Sequence, residues 1–225
     1  MIESVREQLL KTILEAGRVE ANAILERWAE TNGYDDAVIS VLEPVLEKIG
    51  VIWESTQNIS LAQAYVAGKI AEDFMAKVSE KYSDSSCYST KKGSVVLGNI
   101  EDDYHSLGRK MVGIFLKSAG WEVYDLGNDV PAVDFVDEAV KTGSRFIGVS
   151  AMMYTTAMNI KKVRNEIDRR GLTGRIKLIA GGAVFRLRRE LVGEVGADAT
   201  AGNAIVAPAL FDKLSRELIS AGGSL

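Results

Sequence analysis

The sequence predicts an α/β protein in which an N-terminal four-helix bundle precedes a doubly wound parallel sheet of five strands. Two changes along the chain support this prediction. Apolar residues recur at helical spacing over residues 1–82, whereas from residue 94 onward short apolar runs alternate with longer amphipathic ones, as in βαβ units. Residues 83–93 lie between these regions, are rich in serine and lysine, and are typical of an interdomain linker. We therefore expect two domains, 1–82 and 94–225.

Composition excludes several function classes. Lysine and arginine number 27 and aspartate and glutamate 31 in 225 residues, so the net charge of −4 gives no electrostatic reason to expect nucleic acid as a partner. No apolar run approaches the roughly 18 residues of a transmembrane helix, so no membrane partner is expected. Cys87 is the single cysteine, which excludes an internal disulfide and favours a reducing, cytoplasmic location. One cysteine and one histidine also cannot build an ordinary zinc site.

The predicted bundle contains four amphipathic helices. They are expected to begin near Ile2, Val19, Asp35 or Asp36, and Ser60. The third helix carries apolar residues as far as Ile49, but Pro44 lies inside it and should kink or restart it, because proline lacks an N–H. Ser60 and Gln63 fit a capping box, which predicts that the fourth helix begins there and runs to about Val78.

The second domain alternates strands with helices. The predicted strands are Ser94–Gly98, Glu122–Leu126, Phe146–Ala151, Lys177–Ala180 and Ala197–Thr200. The predicted helices are Ser106–Ser118, Ala132–Lys141, Thr156–Arg170, Phe185–Val192 and Ala204–Ile219. Five such units fit the flavodoxin-like, or Rossmann-like, strand order 2-1-3-4-5. In that arrangement ligands bind beyond the carboxyl ends of the strands, at the switch between strands 1 and 3.

Three polar or glycine-rich features fall at the carboxyl ends of predicted strands. They are Asp103-Tyr-His105-Ser-Leu-Gly108 after strand 1, Ser150-Ala-Met152-Met-Tyr-Thr155-Thr156 after strand 3, and Gly181-Gly182 after strand 4. Taken singly, each feature can be explained without a ligand, either by a tight βα turn or by a surface histidine. Because the topology brings all three to one edge of the sheet, together they favour a ligand site there.

His105, the only histidine, follows Asp103 by two positions. Such a carboxylate can accept a hydrogen bond from one imidazole nitrogen, which fixes the tautomer and leaves the other nitrogen free as a base or a metal ligand. The alternative is a surface loop histidine beside acidic neighbours.

Familiar nucleotide-binding and catalytic motifs are absent from the sequence. The turn Gly98–Asp103 lacks the Gly-x-Gly-x-x-Gly of nicotinamide binding, and neither a P-loop nor a Gly-x-Ser-x-Gly elbow occurs. Asp102-Asp103 resembles the acidic pair of phospho-receiver domains, which share the flavodoxin-like fold. However, Ser150 stands where those domains need an aspartate at the end of strand 3.

The three strand-end features together resemble the signature of cobalamin-binding domains, in residue types and in spacing. The whole chain resembles the corrinoid proteins of methyltransferase systems, which pair an N-terminal four-helix domain with a Rossmann-like corrinoid domain. Further matching segments are Gly50–Glu54, Ile59–Gln63, Asp125–Pro131, Gly196–Asp198 and Asn203-Ala204. The chain departs from the family pattern at Asp102, where glycine is common, at Ser106, where aspartate is frequent, and at Met152, where leucine is usual.

The resemblance implies that the protein binds cobalamin, with His105 as the lower axial ligand of cobalt and Asp103 holding its other nitrogen. Thr155 or Thr156 would supply a further hydroxyl to this relay, and Ser150 would contact the displaced nucleotide base. The glycines of the motifs would leave room for the nucleotide tail. The residues assigned to the cofactor in this way are Asp103, His105, Ser106, Leu107, Gly108, Ser150, Met152, Thr155, Thr156, Gly181, Gly182 and Gly202.

The resemblance further implies a methyl carrier with little activity of its own. It would shuttle a methyl group between a substrate-specific methyltransferase and an acceptor methyltransferase, with a reductive activase as a further partner. The helical domain would cap the corrin, with Trp53, Tyr65 and Met75 as candidate contacts or as ordinary bundle core.

Two other members of the cobalamin-binding group are alternatives. A non-catalytic sensor or carrier is one, although the bundle lacks the Trp followed shortly by Glu-His of light-responsive sensors. The small subunit of a carbon-skeleton mutase shares the motif, but the N-terminal bundle argues against it. The sequence leaves the methyl donor, the acceptor and the oligomeric state open.

Overall fold

The computed structural model describes residues 2–56, 59–83, 92–204 and 206–220. The chain forms two compact units, Met1–Asp84 and Ser85–Leu225. Most of the predicted linker 83–93, including Cys87, lies outside the described residues. Within the described ranges, no helix combines the length and apolar character that crossing a bilayer requires.

The described part of the first unit is entirely helical apart from short turns. Its elements are α1 Ile2–Leu14, α2 Arg18–Asn32, α3 Tyr34–Asp36, a π-helix Ala37–Leu42, α4 Glu43–Thr56 and α5 Leu61–Ser83. Leu9, Leu25, Ile70 and Phe74, from α1, α2 and α5, are fully buried in its core. Because α3, the π-helix and α4 follow one another directly, they correspond to the third predicted helix, and the predicted four-helix bundle is confirmed.

The irregularity predicted at Pro44 takes the form of a π-helix in the turn before it. Proline has no N–H, so the carbonyl of Ser40, four residues earlier, loses its usual helical donor. Arg6 Nε donates a hydrogen bond to that carbonyl at 2.6 Å. The N–H of Glu43 donates to Val38 O, which is the i+5 spacing of a π-helix. The proline therefore causes a local bulge, after which the chain continues as α4.

The capping box predicted at Ser60 is present. The Ser60 N–H donates to Gln63 Oε1 at 2.8 Å, and the Gln63 N–H donates to Ser60 Oγ at 3.2 Å. Gln63 Nε2 also donates to Leu14 O at 2.7 Å, which ties the start of α5 to the end of α1. The helix continues to Ser83, beyond the end predicted near Val78.

The three bundle residues considered as corrin contacts differ in exposure. Met75 is 3% exposed and belongs to the core of the bundle, whereas Tyr65 is 65% exposed. The side chain of Trp53 lies outside the described part of the structure. Packing within the bundle is therefore sufficient to explain Met75 but not Tyr65.

The second unit contains a five-stranded parallel sheet. Its strands are β1 Ser94–Asn99, β2 Glu122–Asp125, β3 Phe146–Ser150, β4 Lys177–Gly181 and β5 Ala199–Thr200. They are ordered β2-β1-β3-β4-β5, as predicted. Asn99 pairs with Ser150, and Ser150 with Gly181, so the carboxyl ends of the three central strands lie side by side.

Helices cover both faces of this sheet. They are α6 Ser106–Ser118, α7 Ala132–Thr142, α8 Tyr154–Met158, α9 Ile160–Arg169, α10 Ala183–Leu187, α11 Leu191–Glu194 and α12 Ala207–Ser220. Phe135 of α7 and Val163 of α9 pack in the core on one face. Leu116 of α6 and Phe211 of α12 pack in the core on the other. The sheet is therefore doubly wound, as predicted.

Two predicted helices are each divided in the structure. Thr156–Arg170 becomes α8 and α9, because the chain makes a turn at Asn159, whose N–H bonds Thr156 O at 3.0 Å. Phe185–Val192 becomes α10 and α11, because Arg188 takes the extended conformation φ −132°, ψ 82°. The last helix starts at Ala207 and not at Ala204, with Pro208 in its first turn, where the missing N–H costs nothing.

Candidate functional site

The carboxyl edge of the sheet brings the three strand-end features together. The Ile100 N–H donates to Ser150 O at 3.1 Å, and the Ala151 N–H donates to Gly181 O at 2.9 Å. These bonds extend the pairing of β1, β3 and β4 past the ends of the strands. The segments that carry His105, Thr156 and Gly182 therefore leave the sheet from adjacent positions.

Asp103 is the centre of the polar network at this edge and is fully buried. Its Oδ1 accepts bonds from Asn99 Nδ2 (2.8 Å) and the His105 N–H (3.0 Å). Its Oδ2 accepts bonds from the Met152 N–H (2.7 Å) and Thr156 Oγ1 (3.0 Å). Burial acts to raise the pKa of Asp103, but these four bonds outweigh it and hold the pKa below its ordinary value. Asp103 is therefore an ionised carboxylate at neutral pH.

His105 presents its ring to solvent beside this carboxylate. Its side chain is 52% exposed, and Nδ1 lies 3.4 Å from Asp103 Oδ1. That separation is longer than the roughly 2.7–3.2 Å of an ordinary N–H···O bond. The sequence-based expectation was that Asp103 would hold a ring nitrogen, whereas the structure shows Asp103 bonded to the backbone N–H of His105 with the ring close by.

The structure distinguishes the two threonines proposed for the relay. Thr156 is buried and its hydroxyl bonds Asp103, whereas Thr155 is exposed. Ser150 is half-buried at the end of β3. Met152 contributes its backbone N–H to Asp103, while the residue itself is exposed.

The glycines assigned to the cofactor fall into two groups. A Cβ at Gly108, Gly181 or Gly202 would meet no described atom within 4 Å, so open space adjoins these positions. A Cβ at Gly182 would lie 2.0 Å from the carbonyl oxygen of Ala151, and Gly182 has φ +116°. Gly182 is therefore required by the packing of its own turn against the end of β3, with or without a ligand.

Ser106 and Leu107 open helix α6 directly after the histidine and are half-buried. Together with Gly108 they form its first turn. The helix therefore begins directly after the residue that carries the exposed imidazole.

Asn99 and Arg109 belong to this network and were missed by sequence reasoning. Arg109 Nε donates to Asn99 Oδ1 at 2.7 Å, which directs the Asn99 amide NH₂ toward Asp103 Oδ1 (2.8 Å) and His105 O (3.1 Å). Both residues are buried, at 0% and 5% exposure. The available signals were an asparagine ending the apolar strand VVLGN and an arginine on the inner side of α6.

The guanidinium of Arg109 is neutralised at the carboxyl end of β2. Arg109 forms an ion pair with Asp125 and donates to Asn128 Oδ1 at 3.1 Å. Burial lowers the pKa of Arg109 from its very high ordinary value. The positive charge of Arg109 is thus held next to Asn99. Its bond to Asn99 Oδ1 orients the amide NH₂ that donates to Asp103 and to the carbonyl of His105.

Asp102 occupies a conformation that explains the common glycine of the family pattern. Its φ is +66°, in the left-handed region that glycine adopts most readily. Aspartate is among the residues that tolerate this region. Aspartate at position 102 therefore allows the same turn that glycine would make there.

Chemically, this edge offers one exposed imidazole next to a buried carboxylate, with open space beside three glycines. An imidazole held in this way can bind a metal ion through one nitrogen while the other faces the carboxylate. The described residues contain no group of three or more histidine, cysteine, aspartate or glutamate side chains arranged to hold a metal ion. A metal that arrives in its own macrocycle needs only one protein ligand, and these residues fit that kind of cofactor.

Comparison with known proteins agrees with this geometry. Residues 93–209 match the family model described as the B12 binding domain. A dimethylamine corrinoid protein of Methanosarcina mazei is 29% identical over 217 residues, which cover 94% of this chain and 97% of that protein. A corrinoid protein of Desulfitobacterium hafniense is 30% identical over 222 residues, which cover 95% of this chain and 99% of that protein.

Two solved structures share the fold. The monomethylamine corrinoid protein of Methanosarcina barkeri has a TM-score of 0.82 at 24% identity and covers 95% of this chain and 100% of its own. A chain of the methanol:cobalamin methyltransferase complex of the same organism has a TM-score of 0.52 at 21% identity, covering 95% of this chain and 80% of its own. Since the B12-binding model spans more than half of the 225 residues, the chain belongs to the B12-binding-domain family and, by its 30% identity over nearly the whole of the Desulfitobacterium protein, to the corrinoid proteins within it.

Proposed function

We propose that this protein is a corrinoid methyl carrier that binds cobalamin through His105 as the lower axial ligand of cobalt. The observation that carries the proposal is the half-exposed imidazole of His105 beside the buried, ionised Asp103, at the carboxyl edge of a B12-binding domain. The bound corrinoid would supply a cobalt that accepts and releases a methyl group. The chain itself would hold, orient and shield that centre.

The role proposed for Asp103 follows from its charge and position. Nδ1 of His105 already lies 3.4 Å from Asp103 Oδ1, so a small rotation of the ring would make a hydrogen bond and leave Nε2 facing outward as the ligand. A carboxylate partner raises the basicity of the ligating imidazole. Asn99 bonds the same oxygen, Oδ1, and Thr156 bonds Oδ2, so the carboxylate has little freedom to follow the ring.

The glycines beside open space are proposed to line the path of the nucleotide tail. Gly108, Gly181 and Gly202 would each lose that space to a side chain. Ser150, half-buried at the end of β3 between the histidine loop and Gly181, is the proposed contact of the displaced nucleotide base. The remaining contacts proposed for the cofactor are Ser106, Leu107, Met152 and Thr155.

The proposed partners are two methyltransferases. A substrate-specific enzyme would load the methyl group, an acceptor enzyme would remove it, and a reductive activase would restore the reduced cofactor. The names of the relatives include dimethylamine, monomethylamine and methanol, so small methylated amines and methanol are the first donors to test. In this proposal the protein has little activity of its own.

Reconstitution with hydroxocobalamin tests the proposal. We expect the wild-type protein to bind the corrinoid at micromolar concentration with an absorption spectrum of histidine ligation, and cob(II)alamin to show nitrogen splitting in its electron paramagnetic resonance spectrum. The splitting should change on nitrogen-15 labelling of the protein, which distinguishes the imidazole from the nucleotide base of the cofactor. His105→Ala should lose this response, while Lys110→Ala, a change on the exposed side of α6, should keep it. Strong reduction of the bound corrinoid, followed by addition of methyl iodide, should yield protein that carries methylcobalamin.

Two results would contradict the proposal. Failure of the wild-type protein to bind any corrinoid would exclude a carrier role. Ligation signatures that survive in His105→Ala would exclude the assigned ligand. A change of oligomeric state on illumination, without methyl transfer in the presence of partner enzymes, would favour the sensor alternative.

A further inference from the structure

Asp129, in the segment between β2 and α7, contacts the loop that leads to His105 at three points. Its Oδ1 accepts a hydrogen bond from the Asp102 N–H at 2.8 Å. Its Oδ2 accepts one from the Tyr104 hydroxyl at 2.7 Å. Its own N–H donates to Asp103 O at 3.2 Å. One residue therefore bonds each of the three positions that precede the histidine.

The loop has a backbone conformation that needs such support. The Asp103 N–H donates to Ile100 O at 3.0 Å, which closes a four-residue turn over residues 100–103. Asp102 is the third residue of this turn and has φ +66°, whereas Glu101 does not have a positive φ. This is the pattern of a type II turn, which favours glycine at the third position. An aspartate there makes the turn less favourable than a glycine would.

The Asp129 carboxylate is placed to offset this cost. The bond that closes the turn uses the N–H of the fourth residue, so the N–H of the third, Asp102, is left for another acceptor, and it donates to Asp129 Oδ1. The bond is assisted by charge, since hydrogen bonding from Tyr104 and from the Asp102 N–H lowers the pKa of Asp129 and keeps it ionised. Asp129 itself has φ +56°, so both partners hold unusual backbone conformations.

We infer that Asp129 is a positioning residue for the axial ligand: by holding the Asp102 turn and Tyr104, it sets the point at which His105 leaves the sheet. The identity of His105 as the ligand rests on the proposed function, whereas the contacts of Asp129 with the loop are independent of it. Tyr104 is 64% exposed, so burial does not hold it, and its hydroxyl bond to Asp129 anchors the residue next to the histidine. Asp103 is anchored separately, by its four buried bonds.

The experiment compares Asp129→Ala with a variant that makes the turn independent of the carboxylate. Asp129→Ala removes both side-chain bonds, so the equilibrium constant for histidine ligation of bound aquocobalamin should fall by at least about fivefold, the factor that corresponds to the loss of one ordinary hydrogen bond. The double variant Asp102→Gly/Asp129→Ala should recover most of this loss, because glycine adopts the left-handed conformation without help. Tyr104→Phe should lose less than Asp129→Ala. Asp134→Ala, an exposed carboxylate in the first turn of α7, is the matched control and should not differ from the wild type.

Amide hydrogen exchange of residues 101–105 without corrinoid gives a readout that does not depend on ligation. Exchange should be faster in Asp129→Ala and return toward the wild-type rate in the double variant. Unchanged ligation and unchanged exchange in Asp129→Ala would overturn the inference, as would a folded double variant with no recovery. If the wild type binds corrinoid without histidine ligation, the proposed function fails, while the exchange data still decide whether Asp129 holds the turn.

Discussion

Two segments at the same edge of the sheet are held in place by different physical means. The histidine segment, residues 100–105, is held by side-chain hydrogen bonds from neighbouring elements, including those of Asn99, Thr156 and Asp129. The glycine turn after β4, Gly181-Gly182, is held by close backbone approach to the end of β3. Hydrogen bonds can be weakened one at a time, whereas the backbone contact at Gly182 tolerates no added atom. Single substitutions can therefore weaken the histidine segment in steps, whereas a side chain at position 182 disrupts the glycine turn outright.

The largest expected effect comes from adding one atom to the glycine turn. Gly182→Ala would place a Cβ 2.0 Å from Ala151 O, at φ +116°. Strain and overpacking together should lower the free energy of unfolding by roughly 2–5 kcal/mol. Urea unfolding followed by circular dichroism measures this loss. A loss within about 0.5 kcal/mol, the scatter of neutral surface changes, would show that the turn can relax and would remove the contrast between the two segments.

The next largest effect should come from the centre of the histidine segment. Asp103→Asn leaves the shape but replaces an acceptor oxygen with an amide NH₂, so buried donors such as the Met152 N–H or Thr156 Oγ1 lose their partner. We expect a loss of roughly 2–3 kcal/mol in the free energy of unfolding near neutral pH. Urea unfolding of both proteins over a range of pH is the measurement.

The same pair of proteins should differ less in acid. Burial acts to raise the pKa of Asp103, but its hydrogen bonds bring the folded-state pKa below the ordinary 3.8. Its contribution is therefore complete above the unfolded-state value and is lost as the pH falls through the lower folded-state value. The gap between the wild type and Asp103→Asn should stay constant from neutral pH to about pH 5 and shrink below about pH 4. A gap that is independent of pH down to that range would show that the carboxylate charge is not what the donors recognise.

A smaller effect should separate the two adjacent threonines. Thr156→Val removes the buried hydroxyl that donates to Asp103 and also lies 3.0 Å from Met153 O, and it should cost about 1 kcal/mol of unfolding free energy. Thr155→Val, at an exposed position, is the matched control and should change stability by less than about 0.5 kcal/mol. Equal losses in the two variants would mean that the hydroxyl of Thr156 adds nothing beyond its packing.

The smallest effect on stability is expected at Gly181, next to the most sensitive glycine. A Cβ at Gly181 meets no described atom within 4 Å, so Gly181→Ala should unfold within about 0.5 kcal/mol of the wild type. If the open space holds the nucleotide tail, as we propose, the variant should nevertheless bind hydroxocobalamin more weakly. Equilibrium dialysis measures the affinity, and unchanged affinity would mean that the tail does not pass this position.

Much of the fold could be predicted because its signals are local. The strand order follows from the alternation of apolar runs and amphipathic helices, and α6 begins and ends at the predicted residues Ser106 and Ser118. The capping box of Ser60 and Gln63 depends on atoms three residues apart, so the sequence contains all of it. The predicted helices that divide, such as Thr156–Arg170, do so at Asn159 and Arg188, where no proline or glycine marks a break.

The candidate site could be predicted only in part, because its contacts join distant positions. Asp103 and His105 were identifiable as a pair two residues apart, but Asn99 and Arg109 were not, since neither has a binding motif. Asp129 lies 27 positions beyond Asp102 and has no signal that links it to the histidine loop. The choice of Thr156 over Thr155 depends on which side of α8 faces Asp103, and that is set by tertiary packing.

The sequence by itself determined the two-part architecture, the parallel sheet with its switch point, and the chemistry of the residues at the strand ends, because hydrophobic period and residue type are properties of the chain. Only the tertiary structure decided how that chemistry is held. It shows that Asp103 bonds the backbone of His105 and leaves the ring at 3.4 Å, and that Gly182 is needed by its own turn. The physical reason is that hydrogen bonds and steric contacts depend on atoms brought together from separate strands, and a linear pattern does not contain their distances.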